Sequence, residues 1–422
     1  MNPNLILFSL GSLGIALLLQ KFHFFSYFNI AGLISKVKME EAHHDKGPSL
    51  SDLNYKFNDQ GHLVTLTDEP FRFIDQRHYE KLGDVIGLEI YDMLEKEFDA
   101  KKLYLPLKSE STFNESSFSE IPVKPSCPIF LSQDFLKNEE SLIVFIQGSG
   151  VVRPGQWARS VIINHSLDMG SMFPYLRKAK GSSWIILNPN ENFGKDENGS
   201  RVSIESNSSP EDHCLYVWEN IISRSPAKNI NIVAHSYGGI CTISLLNSLD
   251  PNELSRIKRI AFTDSVHFVS HLKKEHIKRF KEIAINWIQS DLPLDSQERS
   301  GNKNDCPRFS SGHRKHEYTS GCAIESVFNW FEGISPLDKH KRNLVHKDTE
   351  EEEEEKEVKK IKENQSNTQE MIEVQESQSS TQEGQDFVSD LNTQEMTEIQ
   401  ESQESQETKE NQETTDSKIQ ES

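Results

Sequence analysis

Three observations predict an α/β fold with a doubly wound, mostly parallel sheet. Continuous apolar runs of strand length at residues 142–146, 183–187 and 258–262 alternate with segments of helical spacing, as expected of parallel strands covered on both faces. A further β-branched run, Asn229-Ile230-Asn231-Ile232-Val233-Ala234, passes directly into His235-Ser236-Tyr237-Gly238-Gly239 and then a helix-like segment at 241–247. That junction suits a nucleophile elbow, because small residues, Ala234 and Gly238, stand two positions either side of Ser236, where a bulky neighbour would clash. The competing reading is an ordinary buried strand that ends in a turn. Third, the run at 142–146 ends in Gln147-Gly148-Ser149-Gly150, a glycine-rich loop in the right order relative to the elbow. A serine at the carboxyl end of a middle strand, where doubly wound sheets bind ligands, makes the pattern α/β-hydrolase-like.

Each element can be placed in order along the chain. Residues 55–64 read as strand, Asn-Asp-Gln-Gly turn and strand. Residues 78–98 have helical spacing, with Leu82, Val85, Ile86, Ile90 and Leu94 on one face. Short strands are expected at 103–107 and 128–131, and a helix-compatible piece at 155–164 succeeds the first buried strand. Residues 191–209 are polar and read as loop; a Ser-Pro-Glu-Asp start signal then opens a helix at 210–223. After the elbow come the strand at 258–262 ending in Thr263-Asp264-Ser265, a helix at 269–285, brief strands at 286–289 and 307–310, and a closing amphipathic helix at 322–331. The chain thus divides into a hydrophobic segment at 1–28, a hairpin-and-helix portion at 51–106, the α/β domain at 107–335 and a tail at 345–422.

The net charge of −20 is concentrated at one end: residues 350–422 hold 23 acidic and 6 basic residues, which leaves −3 for everything before them. The folded part therefore carries no basic stripe of the kind that binds nucleic acid, and direct binding is not expected. The tail is rich in Gln, Glu, Ser and Thr, with a near-repeat of Asn-Thr-Gln-Glu-Met at 367 and 392, and such a composition buries too little apolar surface to order itself. At the other end, residues 5–19 form an apolar run with the length of a signal-peptide core. No basic residue precedes it, and Lys21, Lys36 and Lys38 come after it, so an uncleaved anchor would leave the domain cytosolic. ER or membrane association and a cytosolic domain both remain open. Sequons at Asn114, Asn164, Asn198, Asn207 and Asn364 matter only in the secretory case. Five cysteines without CxxC spacing argue against a zinc site or a disulfide scaffold, and no metal or dinucleotide motif is present, so no cofactor is expected.

A serine needs a base to take its proton and an acid to orient that base, in the chain order Ser, Asp or Glu, His for this fold. Ser236 leads. His316 lies beyond the last strand on the loop where the fold delivers its histidine, with His313 as rival. Asp295, after the strand preceding the histidine strand, is the commoner placement for the acid, and Asp264, ending the strand after the nucleophile, is the alternative. The oxyanion hole would use the backbone N–H of Tyr237 with those of Gly148 and Ser149. Gln147 replaces the histidine that often braces this loop. An active centre of this kind would take a small ester.

The stretch from Phe145 to Arg153, Gly155-Gln156-Trp157-Ala158-Arg159, Leu187-Asn188-Pro189-Asn190-Glu191-Asn192, the elbow, Thr263-Asp264-Ser265-Val266-His267 and Pro293-Leu294-Asp295 together resemble the signatures of the Argonaute-binding, cotranscriptional-regulator family. The similarity runs from about residue 53 to 331 and looks nearest to a second, less-studied vertebrate branch. The resemblance implies a hydrolase-like fold with a serine at Ser236, and a role as an interaction scaffold in RNA-linked silencing or alternative splicing. It further implies Argonaute, chromatin or splicing proteins as partners, and residence in nucleus and cytoplasm. The sequence departs from the family in Gln147, in lacking a basic insertion after Asn192 and in its acidic end, and the last two remove the expected import signals.

Overall fold

The computed structural model describes residues 47–108, 112–205, 207–299, 302–337 and Lys360. The apolar segment at 1–28 and the tail at 345–422 lie outside these residues, apart from Lys360. Contacts divide the chain into two units, Met1–His340 and Lys341–Ser422. Among the described residues no helix is long and apolar enough to cross a membrane.

A hairpin of β1 (Tyr55–Phe57) and β2 (Leu63–Thr65) leads into α1 (Gln76–Glu97), which the Asp75 side chain caps by accepting the His78 N–H. The main sheet then takes β3 (Lys101–Leu105), β4 (Cys127–Leu131), β5 (Ser141–Ile146), β6 (Ser183–Ile186), β9 (Asn229–His235), β10 (Ile257–Thr263), β11 (Ala284–Ile288), β12 (Gln297–Glu298) and β13 (Arg308–Ser310). Their order is β12-β13-β11-β10-β9-β5-β6-β4-β3. The six neighbouring strands from β6 to β13 are parallel; β4 and β12 run against them, and β3 pairs antiparallel with β4 at the edge. This is the doubly wound, α/β-hydrolase-like sheet that the sequence predicts.

Alternation along β5 explains why that run is apolar throughout. Leu142, Val144 and Ile146 enter the core on one face of the sheet, and Ile143 and Phe145 enter the core on the other. The first core is closed by α5 (Pro210–Asn220) and α6 (Gly238–Ser248), through Cys214, Val217, Trp218 and Leu245. The second is closed by α1 and the last helix, α10 (Ile324–Phe331), through Leu82, Ile86, Ile90, Val327 and Trp330.

Several boundaries differ from the sequence reading. The polar stretch 191–209 contains a hairpin, β7 (Phe193–Lys195) with β8 (Arg201–Ser203), which exposed three-residue strands announce only weakly. The piece at 155–164 is helical only over α2 (Arg159–Asn164), and the short helices α3 (Leu167–Gly170), α4 (Phe173–Lys178) and α7 (Pro251–Arg256) have no counterpart among the expected elements. The helix expected at 269–285 is a 3₁₀ turn, Val269–His271, and α8 (Lys274–Ile283); Ala284 and Ile285 belong to β11. The closing helix is preceded by a four-residue piece, α9 (Thr319–Cys322).

Candidate functional site

Ser236 stands at the carboxyl end of β9 with φ of +52°. A left-handed backbone costs a residue bearing a Cβ about 1–2 kcal/mol, and the surroundings hold it there. Its N–H donates to the Thr263 carbonyl at 3.2 Å, and its carbonyl accepts from Gly239 N–H at 3.1 Å and Val266 N–H at 3.2 Å. Two glycines allow the close approach. A Cβ on Gly238 would stand 2.6 Å from the Ile146 carbonyl oxygen, and one on Gly148 would stand 2.9 Å from the Ser236 Cβ. The loop after β5 and the first turn of α6 therefore close on the serine from two sides.

His316 begins a 3₁₀ turn, His316–Tyr318, beyond β13, and its Nδ1 lies 2.7 Å from Asp264 Oδ2. Asp264 ends β10, is itself left-handed at φ +49°, and donates its N–H to the Trp287 carbonyl at 2.7 Å. Hydrogen bonding to Asp264 raises the His316 pKa above the ordinary imidazole value, against the opposing effect of burial. With Nδ1 on the carboxylate, Nε2 is the nitrogen left to face a hydroxyl. The His316 ring also packs against His235, the residue before Ser236, at 4.6 Å between centroids. No hydrogen bond joins Ser236 Oγ to His316 among the described residues.

The preference for Asp295 as the acid is corrected by the positions of the two carboxylates. Asp295 Oδ1 accepts from Trp287 Nε1 at 2.9 Å and Oδ2 from Ser326 Oγ at 2.8 Å. It ties β11 to α10, and the carboxylate at His316 belongs to Asp264. His313, the rival base, stacks on Tyr318 at 4.3 Å and accepts the Lys315 N–H through Nδ1. His235 is buried; its Nδ1–H donates to the Thr263 carbonyl at 2.7 Å, and burial, with His316 beside it, pushes its pKa down to about 4.

Tyr237 opens α6, where the first backbone N–H groups have no partner within the helix. Its phenol donates to Glu211 at 2.8 Å, which pushes the hydroxyl pKa up to about 12. Gly148 is buried and Ser149 exposed. The brace that Gln147 does not supply comes from Asn190, whose Nδ2 donates to the carbonyls of Gly148 at 2.9 Å and Val152 at 3.2 Å. Gln147 itself is buried, with neither amide atom paired among the described residues.

Around Asn190 the same stretch is locked from below. Asn188 Nδ2 donates to Glu191 at 2.7 Å and to the Pro128 carbonyl at 3.0 Å, and Asn188 N–H donates to His213 Nε2 at 2.8 Å. Burial drives the His213 pKa down to about 3, so the ring stays neutral and able to accept. Asn207 is 1% exposed and donates to the Glu191 carbonyl at 2.8 Å, so the sequon there offers no accessible amide for a glycan.

Sequence reasoning missed a second network behind the elbow. Ser265 Oγ lies 2.7 Å from His267 Nδ1, and His267 Nε2 lies 2.9 Å from Asp305 Oδ1, whose other oxygen receives Arg308 at 3.1 Å. Asp305 sits in an irregular connection between β12 and β13, where no periodicity marks a residue. His267, Asp305 and Cys306 are near enough to hold an ion. The carboxylate is nevertheless already divided between His267 and Arg308, and burial holds the Cys306 thiol well above its ordinary pKa. The group as built is a hydrogen-bond network.

Comparison with known proteins supplies the family. A profile described as the Arb2 domain matches residues 46–294. The cotranscriptional regulator ARB2A homolog of Xenopus tropicalis is 33% identical over 71% of this chain and 84% of its own length. The human cotranscriptional regulator ARB2A is 33% identical over 70% and 82%, and the human putative protein ARB2BP 27% over 67% and 88%. Among solved structures, the histone deacetylase Clr3 aligns with TM-score 0.39 and 15% identity over 63% of this chain and 40% of its own. A histone deacetylase from Saccharomyces cerevisiae aligns with TM-score 0.36 and 11% identity over 60% and 98%. Scores this low bear on neither the family nor the function. Matched by the Arb2 profile across more than half its length, this chain belongs to the Arb2 domain family.

Proposed function

We propose that the chain acts in cotranscriptional regulation, the role named for its relatives, as an interaction scaffold built on a hydrolase-like domain. The match to the Arb2 profile over residues 46–294 carries this reading. Argonaute, chromatin and splicing proteins are the partner classes the family resemblance implies. Affinity purification of the full chain from nuclear extract, with and without ribonuclease, tests it. Recovery of those classes in both samples is the expected result, and their absence from both overturns it.

One observation favours a second reading, a serine hydrolase acting on a small ester. The 2.7 Å contact between His316 and Asp264 beside a left-handed Ser236 has the order and polarity of a Ser-His-Asp triad. In that reading Ser236 attacks the ester carbonyl, His316 Nε2 takes its proton and returns it to the leaving alcohol, and Asp264 fixes the ring. Tyr237 N–H, with Gly148 or Ser149 N–H, binds the oxyanion. Labelling with a fluorophosphonate, lost in Ser236→Ala and His316→Ala, is the expected result. Well-folded protein that never labels ends the hydrolase reading and leaves the scaffold.

A further inference from the structure

At the amino ends of β5, β9 and β10, the edge of the sheet opposite Ser236, a cavity of about 520 Å³ opens between those strands, the turn after α4 and the end of α10. The seven residues of β9 separate it from the elbow, a span of about 20 Å at roughly 3.3 Å per residue. Four cations line it, Lys178, Lys180, Lys258 and Arg259, against one carboxylate, Glu332. Everything ahead of residue 350 sums to only −3, so this is a local excess and not the tone of the whole surface.

The partners of these cations say how much charge is left over. Lys178 is spoken for by Glu325 at 2.8 Å. Among the described residues Lys258 Nζ reaches only the Ser255 carbonyl, at 3.0 Å. The Arg259 guanidinium lies 4.5 Å from the centre of the Trp330 ring, and its Nη1 donates to the Lys258 carbonyl at 3.0 Å. Arg259 Nε is buried with no hydrogen-bond partner among the described residues. It is a donor, and an acceptor-rich ligand is what satisfies an unpartnered donor in a cationic cavity. A phosphate group, with two charges and several acceptor oxygens, meets a spread of donors better than a carboxylate does. Beside the cations, the half-buried rings of Phe328 and Phe331, edge to face at 67°, offer an apolar wall.

We propose that this cavity binds a phosphate group, with Lys180, Lys258 and Arg259 as its ligands and the Phe328 and Phe331 wall taking the remainder of a small phosphate ester. The site is independent of Ser236 and of either reading of it. Free phosphate and a phosphate ester share the chemistry, and calorimetry on the full chain with inorganic phosphate, AMP and adenosine separates them. Saturable one-to-one binding of AMP at least tenfold tighter than phosphate assigns an ester. Equal affinities assign free phosphate. Adenosine binds neither measurably nor competitively. Lys180→Ala with Lys258→Ala, both exposed positions, weakens binding at least tenfold while the melting temperature is unchanged, and Arg259→Gln weakens binding as much. Absence of saturable binding, unchanged affinity in the lysine pair, or adenosine binding as tightly as AMP overturns the proposal.

Discussion

Replacing Asp264 by Asn, with Asp295→Asn beside it, separates the two candidate acids by the chemistry each carboxylate performs. Asp264 Oδ2 accepts from His316 Nδ1 at 2.7 Å; an amide there keeps the shape but removes the charge that stabilises the imidazolium and can present its NH₂ to the wrong tautomer. Loss of the acid in such triads costs about 10⁴ in rate. The His316 side chain is 39% exposed, so solvent screens the pair and a smaller loss, about 10³ or roughly 4 kcal/mol in the barrier, is expected. Asp295→Asn leaves an oxygen for Trp287 and should change the rate less than about threefold, because its bonds are to β11 and α10. Pseudo-first-order labelling of Ser236 by a fluorophosphonate, followed from pH 5 to 9, reads both quantities. In the natural protein the rate rises with pH through a midpoint above 6.5, since Asp264 raises His316 and only the neutral ring is a base; in Asp264→Asn that midpoint moves down. A slow Asp295→Asn beside a normal Asp264→Asn would refute the assignment.

Three further outcomes rest on the same contacts. Gly148→Ala forces a Cβ to 2.9 Å from the Ser236 Cβ; overpacking of this kind costs about 1–3 kcal/mol, and differential scanning calorimetry should record a fall of several degrees. Asn190→Ala removes the donor to the Gly148 and Val152 carbonyls, so stability drops by about 1–2 kcal/mol and any Ser236 labelling slows, measured by urea unfolding and probe kinetics on the same sample. Acid should weaken the fold early. Unfolded chain protonates His213 and His235 below about 6.5, while the folded forms resist until about 3 and about 4. Stability is therefore lost as pH falls from 6.5, each ring contributing up to about 1.4 kcal/mol per pH unit, and urea midpoints at pH 7 and 5 measure the slope.

The sheet was legible because its central strands are buried on both faces. Val144 and Phe145 face opposite cores, so the run has no polar interruption to hide it. The elbow was legible for a steric reason: only small residues fit where Gly238 meets the Ile146 carbonyl. The choice between acids was not, since Asp264 and Asp295 both end up in left-handed turns near strand ends, and only the placement of Trp287 and Ser326 decides which carboxylate is already occupied. Asp305 was invisible for the same reason, its role being set chiefly by His267, 38 residues away in the chain. Short exposed strands such as β7 and β8 carry no burial pattern to read.

The turn from Asp264 to His267 answers to two masters. Asp264 serves His316, while Val266 N–H holds the Ser236 carbonyl and Ser265 with His267 anchors the turn to Asp305. Among the described residues none of the bonds that shape the elbow passes through the Ser236 hydroxyl. Loss of the Ser236 hydroxyl would therefore leave in place the hydrogen bonds that hold this turn.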